Sequence, residues 1–549
     1  MRFAVFLFLI FFLAAFLRII DLAKIPNGLQ LDELNAGYQG YKIIRTGSDI
    51  FGNYLPLYIN RFGDYRPAGV FYLAGISTYF FGLQTFFIRL PVAIIGSVTI
   101  FPLFWLTFLI SKNKTISLLS AFLLAISPWH IVASRATSES LVALFCTITG
   151  ICFFVYALQS LKKIFFLFSF LFLISSYFFY HTPRIFIPSL LFLLTVFFIG
   201  VSSKNKNVKY KSLNRYIILL FAGIFIITVG ITFTKFGIGR FNQTSVFGNK
   251  DIQEKIVALQ NVDQGNILMA RIFHNKPVVF AKTIIDQYLS YFSTEYLYVK
   301  GGLPDRYTVD DMGLFYYVEF PILLIGLCFL AVKKSPYVAI PIFWLICGPL
   351  SAAITLEDSP NVQRSIFMLP AFQIIEAYGL FFSLQNIKAT IRNTIIIIIA
   401  FIIALNMLYF FHMYFTHSPS HKSFLRNDGN EELFSYLSRY EKNYDRIYIS
   451  SHEDLPMYYD YFSHNMSTML LVSHVQYDRG IIHIGKYFFL PIDCPQIMIK
   501  DSDYKNKRAL VIDSPTCQID HNLFQTISQI ERKDSTPAYI INKHMEHNI

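Results

Sequence analysis

The sequence predicts an all-α polytopic membrane protein of about eleven transmembrane helices, followed by a small α/β domain. Three observations predict it. Only 15% of residues are charged and 54% are hydrophobic, where about 25% charged is usual in soluble domains. Apolar runs of the length needed to cross a bilayer, about 18 residues, recur between residues 3 and 415. Beyond them the chain turns polar, and short β-like runs alternate with helical ones.

Taken in order, MRFAVFLFLIFFLAAFLRII has the positive start and apolar core of a signal peptide but no small-x-small cleavage site, so it reads as a retained helix over 3–20. Spans are then expected at 85–110, 116–133, 140–159, 164–181, 185–200, 216–234, 313–332, 336–355, 365–384 and 393–415. Alternate loops hold Lys112 and Lys114; Lys162 and Lys163; Lys204, Lys206, Lys209, Lys211 and Arg215; Lys333 and Lys334; Lys388 and Arg392. The positive-inside rule assigns these loops, and the N-terminus, to the cytoplasm. They also account for the net charge of +12, which points to anionic membrane lipids as partners and not to nucleic acid.

AGVFYLAGISTYFFG, 68–82, is apolar but short, and letting it span would send every later lysine pair outward. An interfacial helix on the outer leaflet is expected instead. Residues 21–84 then form one long outer loop and 235–312 a second, within a transmembrane module of 1–415. Residues 416–549 form an extracytoplasmic α/β domain, with strands expected in RIYIS, IIHIGKYFFL, RALVIDS and AYIIN and a helix in NEELFSYLSRY. Four of the six cysteines lie in apolar runs as small hydrophobes. Cys494 and Cys517 lie in polar sequence, where a disulfide and two free thiols are equally consistent. No CxxC, HExxH or GxGxxG occurs, so a structural zinc site, a zincin and a dinucleotide fold have no support.

Ionisable residues gather in the outer turns. Asp32 and Glu33 open DELNAGYQGYKIIRTG, where Leu34, Tyr38, Tyr41 and Ile44 share one helical face and Gly47 suits a helix end. Acids at that place cap a helix and meet its dipole, and a carboxylate so held is also an oriented base. In FGDYRPAGVFYL, Asp64, Tyr65 and Arg66 precede Pro67, which suits the first turn of the interfacial helix. Arg66 there is either an interface anchor or a guanidinium that grips a phosphate. Arg135 and Glu139, in AISPWHIVASRATSESLVALF, are four apart; they either pair along a helix or stand as functional charges at the mouth of the bundle. His181 and Arg184 in YHTPR, and Glu357, Asp358 and Arg364 in LEDSPNVQRS, each read alone as solvated turns.

Together LDELNAGYQGY, the GNYLPL and GDYRP runs, FIRLPVAIIGSVTIF and AISPWHIVASRATSES resemble the first half of GT-C superfamily glycosyltransferases, specifically bacterial relatives of the protein O-mannosyltransferases and of lipid A aminoarabinose transferase. The likeness covers 1–200 and, more loosely, the helices and turns to 415. It implies an enzyme of the inner (cytoplasmic) membrane that moves one sugar from a polyprenyl-phosphate donor to an acceptor glycan, lipid or protein on the outer face. By this resemblance Asp32 is the catalytic base with Glu33 beside it, Glu139 stands where many relatives carry Asp, and Arg66 is the basic residue before the proline. Charge considerations add Arg184, Arg135 and Arg364 as holders of the donor phosphate, with Asp64, Tyr65 and His181 as pocket residues. A base that deprotonates the acceptor opposite the leaving phosphate implies inversion. No cofactor is implied with certainty; divalent metal use differs among the relatives, and no metal ligand is carried over.

Two other readings share this geography. An oligosaccharide ligase of the same superfamily would transfer a preassembled glycan through a wide groove under 235–312. A lipid or solute transporter would use mid-helix acids as ion sites, for which Glu376 in FQIIEAYGL is the candidate.

Overall fold

The computed structural model describes residues 2–61, 64–204, 208–263, 266–385, 387–421, 423–451, 455–463, 480, 482–499 and 507–545. Phe62, Gly63, Lys206 and Ile481, used in the sequence reading, lie outside them. The chain divides into two compact units, one made of Met1–Ile20, Leu57–Gly69 and Val92–Phe411, the other of Asp21–Pro56, Val70–Pro91 and His412–Ile549.

Apolar helices occupy every expected span: Arg2–Ile19, Thr85–Ser111, Lys114–Ile126 with Pro128–Ser134, Glu139–Ser160, Ile164–Phe179, Pro183–Ser203, Ser212–Thr232, Glu319–Val332, Pro336–Ala353, Val362–Gln385 and Ala389–His417. Among the described residues eight are long and apolar enough to cross a membrane, or nine if the bent pair is one span. Gly69–Phe81 is a helix of 13 residues.

The bent pair corrects the single span expected at 116–133: its halves meet at 58°. Pro128 has no N–H to donate, so the Leu124 carbonyl loses its helical partner. The next amide, Trp129 N–H, turns to Leu314 O at 3.3 Å and frees Ala125 O. Arg18 covers both gaps, with Nη2 on Leu124 O at 3.1 Å and Nη1 on Ala125 O at 3.0 Å. The Tyr316 hydroxyl donates to Ile126 O at 2.9 Å. Arg135, at the end of the second half, in turn donates to Leu17 O at 3.0 Å and Ile20 O at 2.6 Å, where Arg2–Ile19 stops. Arg135 and Glu139 therefore do not share a helix: the first ends Pro128–Ser134 and the second begins Glu139–Ser160.

Glu319–Val332 and Leu369–Gln385 cross in close contact. A Cβ on Gly326 would lie 2.1 Å from Ile375 O, and one on Gly379 would lie 2.2 Å from Ile322 O. Only glycine permits such an approach, the small-residue packing common between membrane helices. The segment after Ser212–Thr232 is helical, with Lys235–Thr244, Lys250–Val262, Ile267–Phe273 and Lys276–Ser290 each started by a side chain, Thr234, Asn249, Asn266 or Asn275, that accepts a backbone N–H.

Strands β1 (Tyr58–Arg61) and β2 (Asp64–Pro67) form an antiparallel hairpin in the first unit. The second unit holds a six-stranded sheet of β3 (Arg446–Ser450), β4 (Ile482–Ile484), β5 (Tyr487–Leu490), β6 (Ala509–Asp513), β7 (Phe524–Glu531) and β8 (Pro537–His544), ordered β4-β5-β3-β6-β8-β7. β3 is parallel to β5 and β6, and these inner strands are the apolar runs RIYIS, YFFL and ALVID. The edge strand β7, FQTISQIE, was not expected; it is polar along most of its length and largely exposed. Cys494 and Cys517 form a disulfide, which settles the pairing that the sequence left open.

Gly326→Ala is expected to lower the thermal unfolding midpoint of the detergent-purified protein, at a cost of about 1–3 kcal/mol from overpacking. Gly200→Ala, where a Cβ would meet nothing within 4 Å, is expected to leave it unchanged or slightly raised.

Candidate active site

The acidic stretch folds as the helix Leu31–Thr46, in the second unit. Gln30 is its N-cap: Asp32 N–H donates to Gln30 Oε1 at 2.7 Å, and Glu33 Oε2 accepts from Gln30 N–H at 3.4 Å, a capping box. Gly47 ends the helix with φ 79°, its N–H on Ile43 O at 2.8 Å. The one-faced pattern of Leu34, Tyr38, Tyr41 and Ile44 needs correction, because Tyr41 and Ile44 are only half-buried while Glu33 to Gly40, Lys42 and Ile43 are buried. The helix is enclosed on several sides. Ile88 sits over Gly37, Gly40 meets the backbone of Phe71 and Gly75, and Tyr38 donates to Asp460 Oδ2 at 2.9 Å.

Of the two adjacent acids, Glu33 is locked inside. It is 3% exposed, and Arg89, itself fully buried, grips both of its oxygens, Nε to Oε1 at 3.0 Å and Nη2 to Oε2 at 2.7 Å. The same guanidinium donates to Leu22 O at 3.0 Å, Pro26 O at 2.9 Å and Gly28 O at 2.7 Å. A bidentate buried pair of this kind fixes direction as well as distance. Asp32, one residue earlier, keeps partial exposure at the second helical position. The approach to the helix is pinned by Tyr458, whose hydroxyl donates to Leu29 O at 2.6 Å, and by Asn427 Oδ1, which accepts from Leu31 N–H at 3.2 Å.

A polar cavity of about 330 Å³ lies in the same unit, lined by Lys24, Leu29, Thr85, Asn430, Glu431 and Tyr458 among others. Burial, then the charge of Glu432, pushes the Glu431 carboxyl above the usual carboxylate range, with Lys533 opposing and Asp428 adding.

In the first unit the β1–β2 hairpin gathers the other candidates. The expectation that Pro67 begins the interfacial helix is corrected: Pro67 ends β2, and the helix starts at Gly69. The residue before a proline is driven out of the α region, which puts Arg66 on an extended strand. Arg66 Nε donates to Asp64 Oδ2 at 2.9 Å, and its Nη1 is 3.9 Å from Glu139 Oε1; these side chains keep 21%, 24% and 15% of their exposure. The Tyr65 carbonyl lies 3.3 Å from His181 Nε2. Arg184 donates from Nη2 to the Tyr58 hydroxyl at 2.7 Å, and its guanidinium lies 5.5 Å from that ring's centre.

Arg364 holds its own turn together, on Thr355 Oγ1 at 2.9 Å, Glu357 O at 2.7 Å and Glu357 Oε2 at 2.5 Å. Arg135 is fully buried on the carbonyls of Arg2–Ile19. Neither guanidinium has the partial exposure of Arg66. Among the described residues no three His, Cys, Asp or Glu side chains are grouped to hold a metal ion.

Sequence reading missed Arg89 and Tyr58. The signal for Arg89 was present, since an arginine inside an apolar helix needs a partner; its partner, 56 residues away, was not marked by spacing.

Residues 5–240 match the family described as dolichyl-phosphate-mannose-protein mannosyltransferase. ArnT from Cupriavidus metallidurans bound to undecaprenyl phosphate is similar in structure over 99% of this chain and 97% of its own, with TM-score 0.50 and 11% identity. Its apo state aligns over the same shares, with TM-score 0.50 and 10% identity. The archaeal oligosaccharyltransferase AglB from Archaeoglobus fulgidus, solved with an inhibitory peptide and a dolichol-phosphate, aligns with 85% of this chain at TM-score 0.49 and 14% identity; this chain spans 64% of its length. No curated protein sequence matches the chain.

Glu33→Gln is expected to destabilise the protein by about 3–5 kcal/mol, because it leaves a buried guanidinium without its counter-charge. Thermal unfolding in detergent checks this, with Asp32→Asn expected to change the midpoint little.

Proposed function

We propose that this multi-pass membrane protein is a glycosyltransferase of the GT-C superfamily and that it transfers a single sugar from a polyprenyl-phosphate donor to an acceptor on the outer face of the inner membrane, with inversion. The observation that carries this reading is the division of labour between the adjacent acids. Arg89 holds Glu33 immobile, and the helix start so fixed presents Asp32, half-buried, as the general base. Glu33 is then a positioning residue.

Asp32 takes the proton of the acceptor hydroxyl as its oxygen bonds to the anomeric carbon, and the bond from that carbon to the donor phosphate breaks with its electron pair on phosphate. A phosphate leaves without being protonated, so a single base suffices. Arg184, of the first unit, is the holder of the donor phosphate in this reading, with its guanidinium supported by the Tyr58 phenol. Arg66 is shared by Asp64 and Glu139, which keep its guanidinium in a set direction. The polar cavity beside Leu29 and Tyr458 receives the acceptor's polar part.

Protein reconstituted in liposomes, given a labelled polyprenyl-phosphate mannose and a cell-envelope extract as acceptor, is expected to transfer label. Asp32→Asn should lower the rate by about 10²- to 10⁴-fold with donor binding intact, whereas Arg184→Ala should weaken donor binding. Full turnover by Asp32→Asn would remove Asp32 as the base.

A further inference from the structure

The roles assigned to Asp32, Arg66 and Arg184 leave one buried polar cluster of the first unit unused. Glu319 opens the helix Glu319–Val332, and Glu376 lies within Leu369–Gln385; they are 1% and 0% exposed. Both carboxylate oxygens of Glu376, Oε1 of Glu319, both amide atoms of Gln373 and the Tyr298 hydroxyl are buried without a hydrogen-bond partner. The other Glu319 oxygen accepts from Tyr316 N–H at 2.8 Å, which holds that carboxylate in place.

Packing brings the segments that carry these side chains together. The Gly326–Gly379 contact sets the two helices side by side. Phe372, one turn before Glu376, meets Phe315 with ring centres 5.0 Å apart. The Tyr298 ring, 4% exposed, is 6.0 Å from Phe315 and 5.3 Å from Phe320, the neighbour of Glu319. Gln373 precedes Glu376 by three residues and so shares its helix face. Burial raises the Tyr298 phenol, and the charges of Glu376 and Glu319 raise it further, so the hydroxyl lies in the field of both acids.

Two carboxylates in a dry aromatic setting need a counter-charge, and buried polar groups without partners call for an ion or water. We propose that Glu319, Gln373, Glu376 and Tyr298 hold a divalent, oxygen-preferring cation of calcium size. Two carboxylates balance its charge, and the unpartnered atoms supply five oxygens: two from Glu376 and one each from Glu319, Gln373 and Tyr298. Calcium accepts about six to eight oxygens in flexible geometry, whereas magnesium demands a strict octahedron and gives up water reluctantly, which disfavours it among phenylalanines. The ion ties Glu319–Val332 to Leu369–Gln385 just short of their glycine crossing.

The full chain, purified in detergent and stripped with chelator, is to be melted while calcium, magnesium or sodium chloride is added, and its bound metal measured after dialysis against calcium. The expected result is one calcium per chain and a midpoint that rises with calcium alone. Glu376→Gln should lose both the bound ion and the shift. Tyr298→Phe keeps the ring packing and removes one oxygen, so the calcium needed for half the shift should rise on the order of tenfold; this variant carries the test if Glu376→Gln does not fold. The proposal is overturned by an equal calcium shift in Glu376→Gln, by a response to sodium alone, or by a wild-type midpoint that responds to acid but to no metal.

Discussion

Arg18 and Arg135 exchange places at two helix ends: each comes from one helical segment and covers the open carbonyls of the other. In an apolar surrounding a carbonyl without a donor costs several kcal/mol, and no water is at hand to supply one. A helix can break at Pro128 only because a guanidinium fills the gap. The charge is tolerated because helix C-termini carry partial negative charge. Arg89 repeats the device in the second unit, gathering three loop carbonyls and adding a carboxylate.

Partners sort the arginines by task. Arg18, Arg89 and Arg135 are fully enclosed and hold backbone carbonyls; Arg66, partly exposed, and Arg184, buried, hold side chains around the hairpin. The helix break sets where the turn after Arg135 runs, and so where Glu139 begins its helix. The Arg89 pair sets the entry angle of Leu31–Thr46, and so the direction of Asp32.

Local signals in the sequence were sufficient for most of the spans, for Gly47 as a helix end, and for the strands in RIYIS and RALVIDS, because hydropathy and turn chemistry act within a few residues; IIHIGKYFFL, expected as one run, is two antiparallel strands that turn at Gly485. They failed where a distant group decides. The apolar period runs on through Pro128, and only Arg18, more than a hundred residues earlier, makes the break affordable. Arg66 faced two local rules: proline suits a helix start, but it also extends the residue before it, and pairing with Ile59 favoured the second. Glu33 and Asp32 look alike in sequence; Arg89 distinguishes them. The edge strand Phe524–Glu531 carries too little apolar pattern to announce itself, and its partner β8 supplies the register.

The second unit is assembled from stretches far apart in the chain, since Val70–Pro91 is followed by roughly 320 residues of the first unit before His412. At about 5–20 residues per second of synthesis, roughly 20–80 seconds separate the making of the acidic helix from that of Tyr458 and Asp460. Arg89 is the partner present during that wait, and Tyr458 and Asp460 arrive last. The Arg89 clamp can thus form before the helix's other neighbours are made, and a ribosome that stalls in the later spans would leave Asp32 on a half-built support.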